Sequence, residues 1–281
     1  MKNGYFLFNP ISGTSFSSET LEQLQQQLDV QLTALDVTQI QNYQELFDKL
    51  ESEDLLIIAG GDGTLNRFAN LTDGMTYPCE VLYYPCGTGN DFARDMEQEP
   101  KCKPFPINQQ LQNLPTVEIK GQKYRFINGI GFGIDGYCCE IGDEMRKIPG
   151  KKVDYTAIAI RGLLMDYVPT NVTVTVDGER YEYKKVWLAP TMLGRFYGGG
   201  MIPCPQQRRE QDNLSVMVFQ GTGKLRSLMI FPSIFQGKHV KHSKNIHVHA
   251  GKEISVTFDQ PRPLQVDGET ILNVTSYTAR R

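Results

Sequence analysis

The first hundred residues alternate short apolar runs with amphipathic stretches. Residues 5–8 and 30–35 have strand character. Residues 55–59 form an unbroken apolar run of the kind buried on both faces of a parallel sheet, and residues 80–84 follow as the next strand. Between these runs, Leu21, Leu24 and Leu28 recur at helical spacing, with Ser18 placed to cap that helix. Leu46, Phe47 and Leu50 mark a second helix, and residues 65–71 a third. This βαβα order predicts a doubly wound α/β sheet with right-handed crossovers.

Near residues 105–120 the character changes. Pro100, Pro104, Pro106 and Pro115 punctuate the chain, and short strand-like runs follow at 116–119, 124–127, 172–176, 185–189, 214–220, 246–249 and 254–258. Asp177-Gly178 separates two of them in the manner of a hairpin. Strands this dense predict a β-sandwich, with helical insertions at 155–167 and 224–231. The expected organisation is an α/β domain over 1–115 and a β-sandwich domain over 116–281. There is no internal repeat or low-complexity segment.

Composition narrows the function. A formal net charge of −3 over 281 residues argues against wholesale nucleic-acid binding. No apolar run approaches bilayer length, and Met1-Lys2-Asn3-Gly4 leads into a strand rather than a signal peptide, so a cytoplasmic location is expected. Cys79, Cys86, Cys102, Cys138, Cys139 and Cys204 form no Cys-x-x-Cys pair and are expected as reduced, mostly buried thiols. His239, His242, His247 and His249 lie close in sequence; a half-buried, partly basic strand accounts for them better than a metal cluster. Two basic segments, 146–152 and 238–244, are ordinary solvated surface or, beside a lipid bilayer, attractors of anionic headgroups worth roughly 1 kcal/mol per well-placed residue.

The chemistry concentrates after the predicted strands. Gly60-Gly61-Asp62-Gly63-Thr64-Leu65-Asn66 joins a strand to a helix. Glycine lets backbone approach an anion, and a helix start offers unpaired N–H groups, so this turn is a candidate phosphate seat. Asp62 adds a carboxylate able to act on a metal or a proton. Alone, such a turn is as well explained by packing. However, Pro85-Cys86-Gly87-Thr88-Gly89-Asn90-Asp91 repeats the design after the next strand, and Asn9-Pro10-Ile11-Ser12-Gly13 follows the first. Three such turns converge on the carboxyl edge of one parallel sheet, where open α/β sheets bind ligands. Asn90 and Asp91 serve equally as caps of the following helix. There is no P-loop and no protein-kinase signature.

Together with a late Asp267-Gly268-Glu269, these motifs resemble the diacylglycerol kinase catalytic family, soluble lipid kinases related to the sphingosine kinases. Four motifs stand in order and span nearly the whole chain. The resemblance implies a nucleotide-binding first domain and a lipid-binding β-sandwich whose last residues return toward the first domain. It implies ATP and Mg²⁺ as cofactors. Asn9, Pro10, Ile11, Ser12, Gly13, Thr38, Gly61, Asp62, Gly63, Thr64, Leu65, Asn66, Arg67 and Thr88 would hold the nucleotide. Asp62 would hold the catalytic Mg²⁺, directly or through water, or help deprotonate the lipid hydroxyl. Glu269 would be the proton acceptor, against the plainer reading of Asp267-Gly268 as a turn and Glu269 as an exposed strand residue. A further metal would sit on Asp212, with the carbonyls of Arg209 and Leu214. Asp135, in Asn128-Gly129-Ile130-Gly131-Phe132-Gly133-Ile134-Asp135, would meet the lipid headgroup or cap a helix starting at Gly136. Gly198-Gly199-Gly200 and Pro203 would shape the cleft.

Two positions depart from the family pattern: Arg67 replaces a common glutamate, and Asp212-Asn213 replaces Asp-Gly. The implied activity is transfer of the γ-phosphoryl group to a lipid hydroxyl, foremost of diacylglycerol, at a membrane surface touched peripherally; a homodimer is compatible with the sequence. NAD kinases also use Gly-Gly-Asp-Gly-Thr and give the second enzymatic reading. An inactive nucleotide-binding regulator is the third.

Overall fold

The strand pattern translates most directly in the first half of the chain. The computed structural model describes residues 2–10, 17–99, 102–148, 150 and 153–281. Two compact units divide it, Met1–Leu114 and Pro115–Arg281.

In the first unit, β1 (Lys2–Phe8), β2 (Val30–Asp36), β3 (Leu55–Gly60) and β4 (Glu80–Pro85) are parallel, in the order β2-β1-β3-β4. Helices α4 (Asp91–Asp95) and α5 (Asn108–Gln112) follow β4, and between them a two-residue antiparallel strand, β5 (Phe105–Pro106), closes the β4 edge. All six residues of β3 are buried. Leu55, Ile57 and Ala59 face one side, with Phe6, Leu24, Val30 and Leu82. A fully buried Leu or Ile contributes about 1.5–3 kcal/mol, so this strand anchors the unit.

Helix α1 (Ser18–Leu28) is capped by Ser17, not by Ser18 as expected: Ser17 is extended and its Oγ accepts from Thr20 N at 3.2 Å. Ser18 is already the first helical residue, so its backbone cannot take the cap conformation. Helix α2 (Tyr43–Phe47) stops short of Leu50, which is nevertheless buried. Helix α3 (Asp62–Leu71) starts three residues before its apolar face begins, because polar residues and glycine fill the first turn. Tyr43, Phe68 and Tyr77 form an aromatic layer, with Tyr43 edge-on to Phe68 at 5.4 Å.

The second unit is β-rich. Its strands are β6 (Thr116–Ile119), β7 (Gln122–Arg125), β8 (Gly129–Phe132), β9 (Thr170–Val176), β10 (Glu179–Leu188), β11 (Thr191–Met192), β12 (Leu214–Gln220), β13 (Ile246–Gly251), β14 (Glu253–Val266) and β15 (Glu269–Arg280). They pair in the order β7-β6-β15-β14-β8-β11-β12-β10-β9, and β9 pairs back onto β14, so the sheet folds over on itself. β14 makes this closure by changing partners: residues 254–258 pair with β9, and residues 264–266 pair with β8. Register shifts between Thr257 and Leu264 mark the bend. Pro261 and Pro263 fall at that bend, which is why β14 outruns the expected strand at 254–258. β7 lies two residues earlier than expected because Lys120 and Gly121 (φ 51° and 76°) make the turn. β15 pairs with β14 and β6, so the last strand belongs to the second unit's own sheet.

Helices α6 (Ile134–Arg146), α7 (Tyr155–Arg161) and α8 (Lys224–Ile230) cover one side of this sheet around Trp187, Met217 and Phe219. α7 continues as a π turn, Gly162–Asp166. The histidines are spent separately. His239 is buried against Pro203 O at 2.8 Å, while His247 and His249 contact Gln220 and Tyr183.

Candidate functional site

In the first unit the parallel register sets the site. Phe8 is level with Asp36 and with Ala59, and Gly60 is level with Pro85. The residues that follow, Asn9-Pro10, Val37-Thr38, Gly61-Asp62 and Cys86-Gly87-Thr88, therefore leave the sheet along one rim. The chain reverses winding direction between β1 and β3, so the Asn9 and Gly61 turns flank the topological switch point. Ile11, Ser12 and Gly13 lie outside the described residues.

Two glycine turns press together here. A Cβ on Gly87 would stand 2.4 Å from Gly61 Cα, and one on Gly61 would stand 3.2 Å from Gly87 Cα. A side chain at position 87 would force the turns apart, and one at position 61 would crowd them. Gly63, by contrast, looks into open space within 4 Å. The contact is braced by Cys86 N donating to Gly60 O (3.0 Å), by Tyr83 Oη donating to the same oxygen (3.1 Å), and by Asn90, whose side chain bonds Gly87 N and O at 3.0 and 2.8 Å.

Asp62 completes the brace. Its two carboxylate oxygens accept from the backbone N–H groups of Asp91 (3.0 Å) and Phe92 (2.8 Å), the first residues of α4 (Asp91–Asp95). Asn90 occupies the cap position in the left-handed conformation (φ 51°) but makes no capping bond itself. The cap of α4 therefore comes from the preceding glycine turn, a tertiary bond that no local reading of Asn90 and Asp91 contains.

The remaining predicted nucleotide residues divide by exposure. Gly63, Arg67, Thr38 and Thr88 are exposed. Thr38 is tied to Asp36 Oδ1 through both its N–H and its hydroxyl. Leu65 and Asn66 are buried, and Asn66 Oδ1 accepts from the Asn70 amide. Leu65 can therefore offer a ligand backbone only.

In the second unit, Asp267 and Gly268 (φ 46° and 94°) form the turn between β14 and β15, and Glu269 is the exposed first residue of β15. Asp267 does more than turn. Its carboxylate accepts the N–H groups of Ile127 (2.5 Å), Asn128 (2.9 Å) and Gly129 (2.9 Å). From the other side, buried Arg209 donates to Ile127 O and to Asn128 Oδ1. The strand leading to Asp135 is thus clamped between an acid and a base.

Asp135 lies in the first turn of α6 and does not cap a helix starting at Gly136; the helix begins at Ile134 with Gly133 as its cap. The carboxylate is buried. Gly136 N reaches Oδ1 at 2.9 Å and Tyr197 Oη reaches Oδ2 at 3.2 Å. It occupies the volume a side chain at position 131 would need, since a Gly131 Cβ would fall 1.6 Å from Oδ2. Burial pushes the Asp135 carboxyl up to about 6, against the pull of its bonds to Gly136, Tyr197 and Gln265. Cys139 and Asp143 follow at helical spacing on the same face of α6. The Cys139 thiol is pushed up to about 12, by burial first and then by Asp135 and Asp143, with Glu269 adding to the effect. Thr270 donates to Asp143 Oδ2 at 2.7 Å. Glu269 therefore opens β15 near an acidic helix face that carries the buried Asp135. Tyr197, Gln265 and the Arg209 side chain were not predicted here, because each reaches the site from a distant element.

The residues named for the second metal are arranged differently. Asp212 is ion-paired with Lys252, which holds its carboxyl below the usual range. The Arg209 carbonyl accepts from Arg281 Nη2 at 3.1 Å, and Leu214 is in strand pairing with Gly251. Two cations of the protein stand on these donors. As arranged, the set does not fit a divalent ion.

The fold and these turns together define a lipid-kinase architecture: an α/β unit with glycine turns on its strand rim and a β-rich unit carrying Asp-Gly-Glu. Residues 3–118 match the family described as the diacylglycerol kinase catalytic domain. Residues 128–278 match the YegS C-terminal NAD kinase beta sandwich-like domain. The chain belongs to this diacylglycerol kinase family. A Staphylococcus aureus (strain Newman) protein named "Putative lipid kinase" is 27% identical over 280 residues, covering 95% of this chain and 88% of that protein. Two Bacillus anthracis str. Sterne crystal structures share the fold. One, titled as a "putative diacylglycerol kinase", has a TM-score of 0.68 at 19% identity and covers 99% of this chain and 92% of that one. Another, titled as a diacylglycerol kinase, has a TM-score of 0.60 at 18% identity and covers 100% and 94%.

Proposed function

We propose that the chain is an ATP- and Mg²⁺-dependent lipid kinase, with diacylglycerol the leading substrate and phosphatidic acid the product. The observation that carries this is the brace at the switch point. Gly61 and Gly87 touch backbone to backbone, and Asp62 locks their turns together, while Gly63 stays open toward solvent. A rim built of backbone in this way can approach phosphate oxygens closely and donate N–H groups to them.

In this reading the γ-phosphorus is attacked by the lipid hydroxyl oxygen. A new P–O bond forms, the bond to ADP breaks, and the hydroxyl proton passes to the Glu269 carboxylate. Glu269 suits that role by being exposed on a strand start that Asp267 fixes in place. Mg²⁺ would be held by the nucleotide phosphates and by the Asp62 carboxylate beside them, and would supply charge neutralisation. Asp135, held beside Tyr197 and Gln265, would face the lipid headgroup as an acceptor. No step runs through Asp212.

The test is turnover. Purified chain with ATP, Mg²⁺ and a panel of lipid alcohols should release ADP and yield a phosphorylated lipid, diacylglycerol giving the fastest rate. Phosphorylation of NAD instead, or of no lipid in the panel, would overturn the proposal.

A further inference from the structure

A second surface of the β-rich unit is unlike the rest of the chain. Residues 213–252 contain no Asp or Glu, yet carry Lys224, Arg226, Lys238, Lys241 and Lys244, besides Lys252, which pairs with Asp212, in a protein of net charge −3. The same segment exposes large apolar side chains. Leu225 and Met229 are 74% and 73% exposed, one helical turn apart on α8, while Ser227 and Ile230 face the core. Lys224 Nζ donates to Leu164 O at 2.9 Å, so the start of α8 sits against the π turn, where Met165 is 70% exposed. Phe235 and Val240 are also exposed, in the turns that follow α8, among Lys238, Lys241 and Lys244. One carboxylate stands on the π turn, Asp166, and it is taken up by Arg161 and by the Tyr137 hydroxyl.

Apolar tips ringed by cations do not fold a protein; they cost solubility unless something covers them. We propose that this face, α8 with the adjoining π turn and the 238–244 turn, docks the enzyme on an anionic lipid bilayer. Leu225, Met229 and Met165 would enter the headgroup boundary, and Arg226, Lys238 and Lys241 would pair with acidic headgroups. Charge complementarity selects this occupant: a forty-residue stretch without one acid fits a polyanionic surface, and the isolated side-chain tips fit the shallow apolar layer beneath it. The idea deepens the lipid-kinase reading by naming the surface that reaches the substrate's membrane.

The experiment is vesicle co-sedimentation of the full chain without nucleotide. It compares phosphatidylglycerol/phosphatidylcholine vesicles with phosphatidylcholine alone. Wild type should bind the anionic vesicles, less tightly as salt rises. The double variant Leu225→Ser/Met229→Ser should bind at least tenfold more weakly. Arg226→Gln/Lys238→Gln/Lys241→Gln should lose about fivefold per charge, roughly a hundredfold in all, on anionic vesicles only. Because these side chains are exposed, circular dichroism and melting should not change, and phosphorylation of a short-chain, water-soluble diacylglycerol should stay at the wild-type rate. Equal binding to both vesicle types, or variants that bind like wild type, would refute the docking face. Docking without any lipid phosphorylation would leave this inference standing and sink the kinase proposal.

Discussion

The geometry of Asp62 assigns it a structural task beside any chemical one. Its two oxygens carry the cap of α4 and tie the Gly60-Gly61 turn to the Gly87 turn. Truncation in Asp62→Ala removes two charge-assisted bonds and leaves two backbone donors at a helix start. Hydrogen bonds to charged groups are worth about 1.5–3 kcal/mol each, and lost caps cost about 0.5–2 kcal/mol. Since Asp62 is only half-buried, the combined loss should be about 2–4 kcal/mol. In a unit of this size that lowers the melting temperature by about 10 °C. Asp62→Asn retains one acceptor but turns an amide N–H₂ toward the other backbone donor, so it should lose at least half as much. The assay is calorimetric melting of wild type and both variants, with activity read at a temperature where all are folded. If Asp62→Ala melts with wild type yet is inactive, Asp62 serves chemistry alone and the brace described above is not a determinant of the fold.

Other consequences follow from single contacts. Gly87→Ala should force the two turns apart, because its Cβ falls 2.4 Å from Gly61 Cα; nucleotide affinity by calorimetric titration should drop at least tenfold, with a lower melting temperature. Asp135 has a folded-state pKa raised to about 6 from an ordinary 3.8, so its contribution to stability is complete below about pH 4 and lost as pH rises through 6. The difference corresponds to about 3 kcal/mol as an order of magnitude, so Asp135→Asn should gain in melting temperature relative to wild type between pH 4 and 7, and a flat difference would contradict the burial argument. With Lys252 and Arg281 on the Asp212 and Arg209 donors, EDTA should leave melting within about 1 °C, whereas Lys252→Ala should make it responsive to Mg²⁺. One tightly retained divalent ion per chain in elemental analysis would contradict that arrangement.

The α/β half was legible because its signals are local. An unbroken apolar run such as residues 55–59 has few homes other than a central parallel strand, and glycine turns follow such strands for a steric reason. Glycine also marked close backbone approach, although not its partner; that Gly61 meets Gly87 depends on β3 lying beside β4. The β-rich half was harder. β14 runs through Pro261 and Pro263, residues that normally end a strand, because a bend at that point changes its partners. The candidate site shows the same limit. Asp62, Asp267 and Asp135 were visible as residues of interest, but their partners are 29 to 140 positions away for the two clamping acids, and Tyr197 is 62 away from Asp135. Arg209 was marked for its carbonyl, while its buried guanidinium holds the Asn128 loop. Motifs name the actors; long-range bonds decide which are structural.

The proposed reaction passes a phosphoryl group from nucleotide to a lipid hydroxyl whose proton Glu269 accepts. Incubation with γ-labelled ATP and diacylglycerol, followed by lipid extraction, measures it directly in wild type and Glu269→Gln. The account predicts label in phosphatidic acid for wild type. For the variant it predicts a rate lower by about 10²–10⁴-fold, with nucleotide affinity and melting temperature unchanged. Label transferred equally well by Glu269→Gln, or no labelled lipid from wild type, would contradict it.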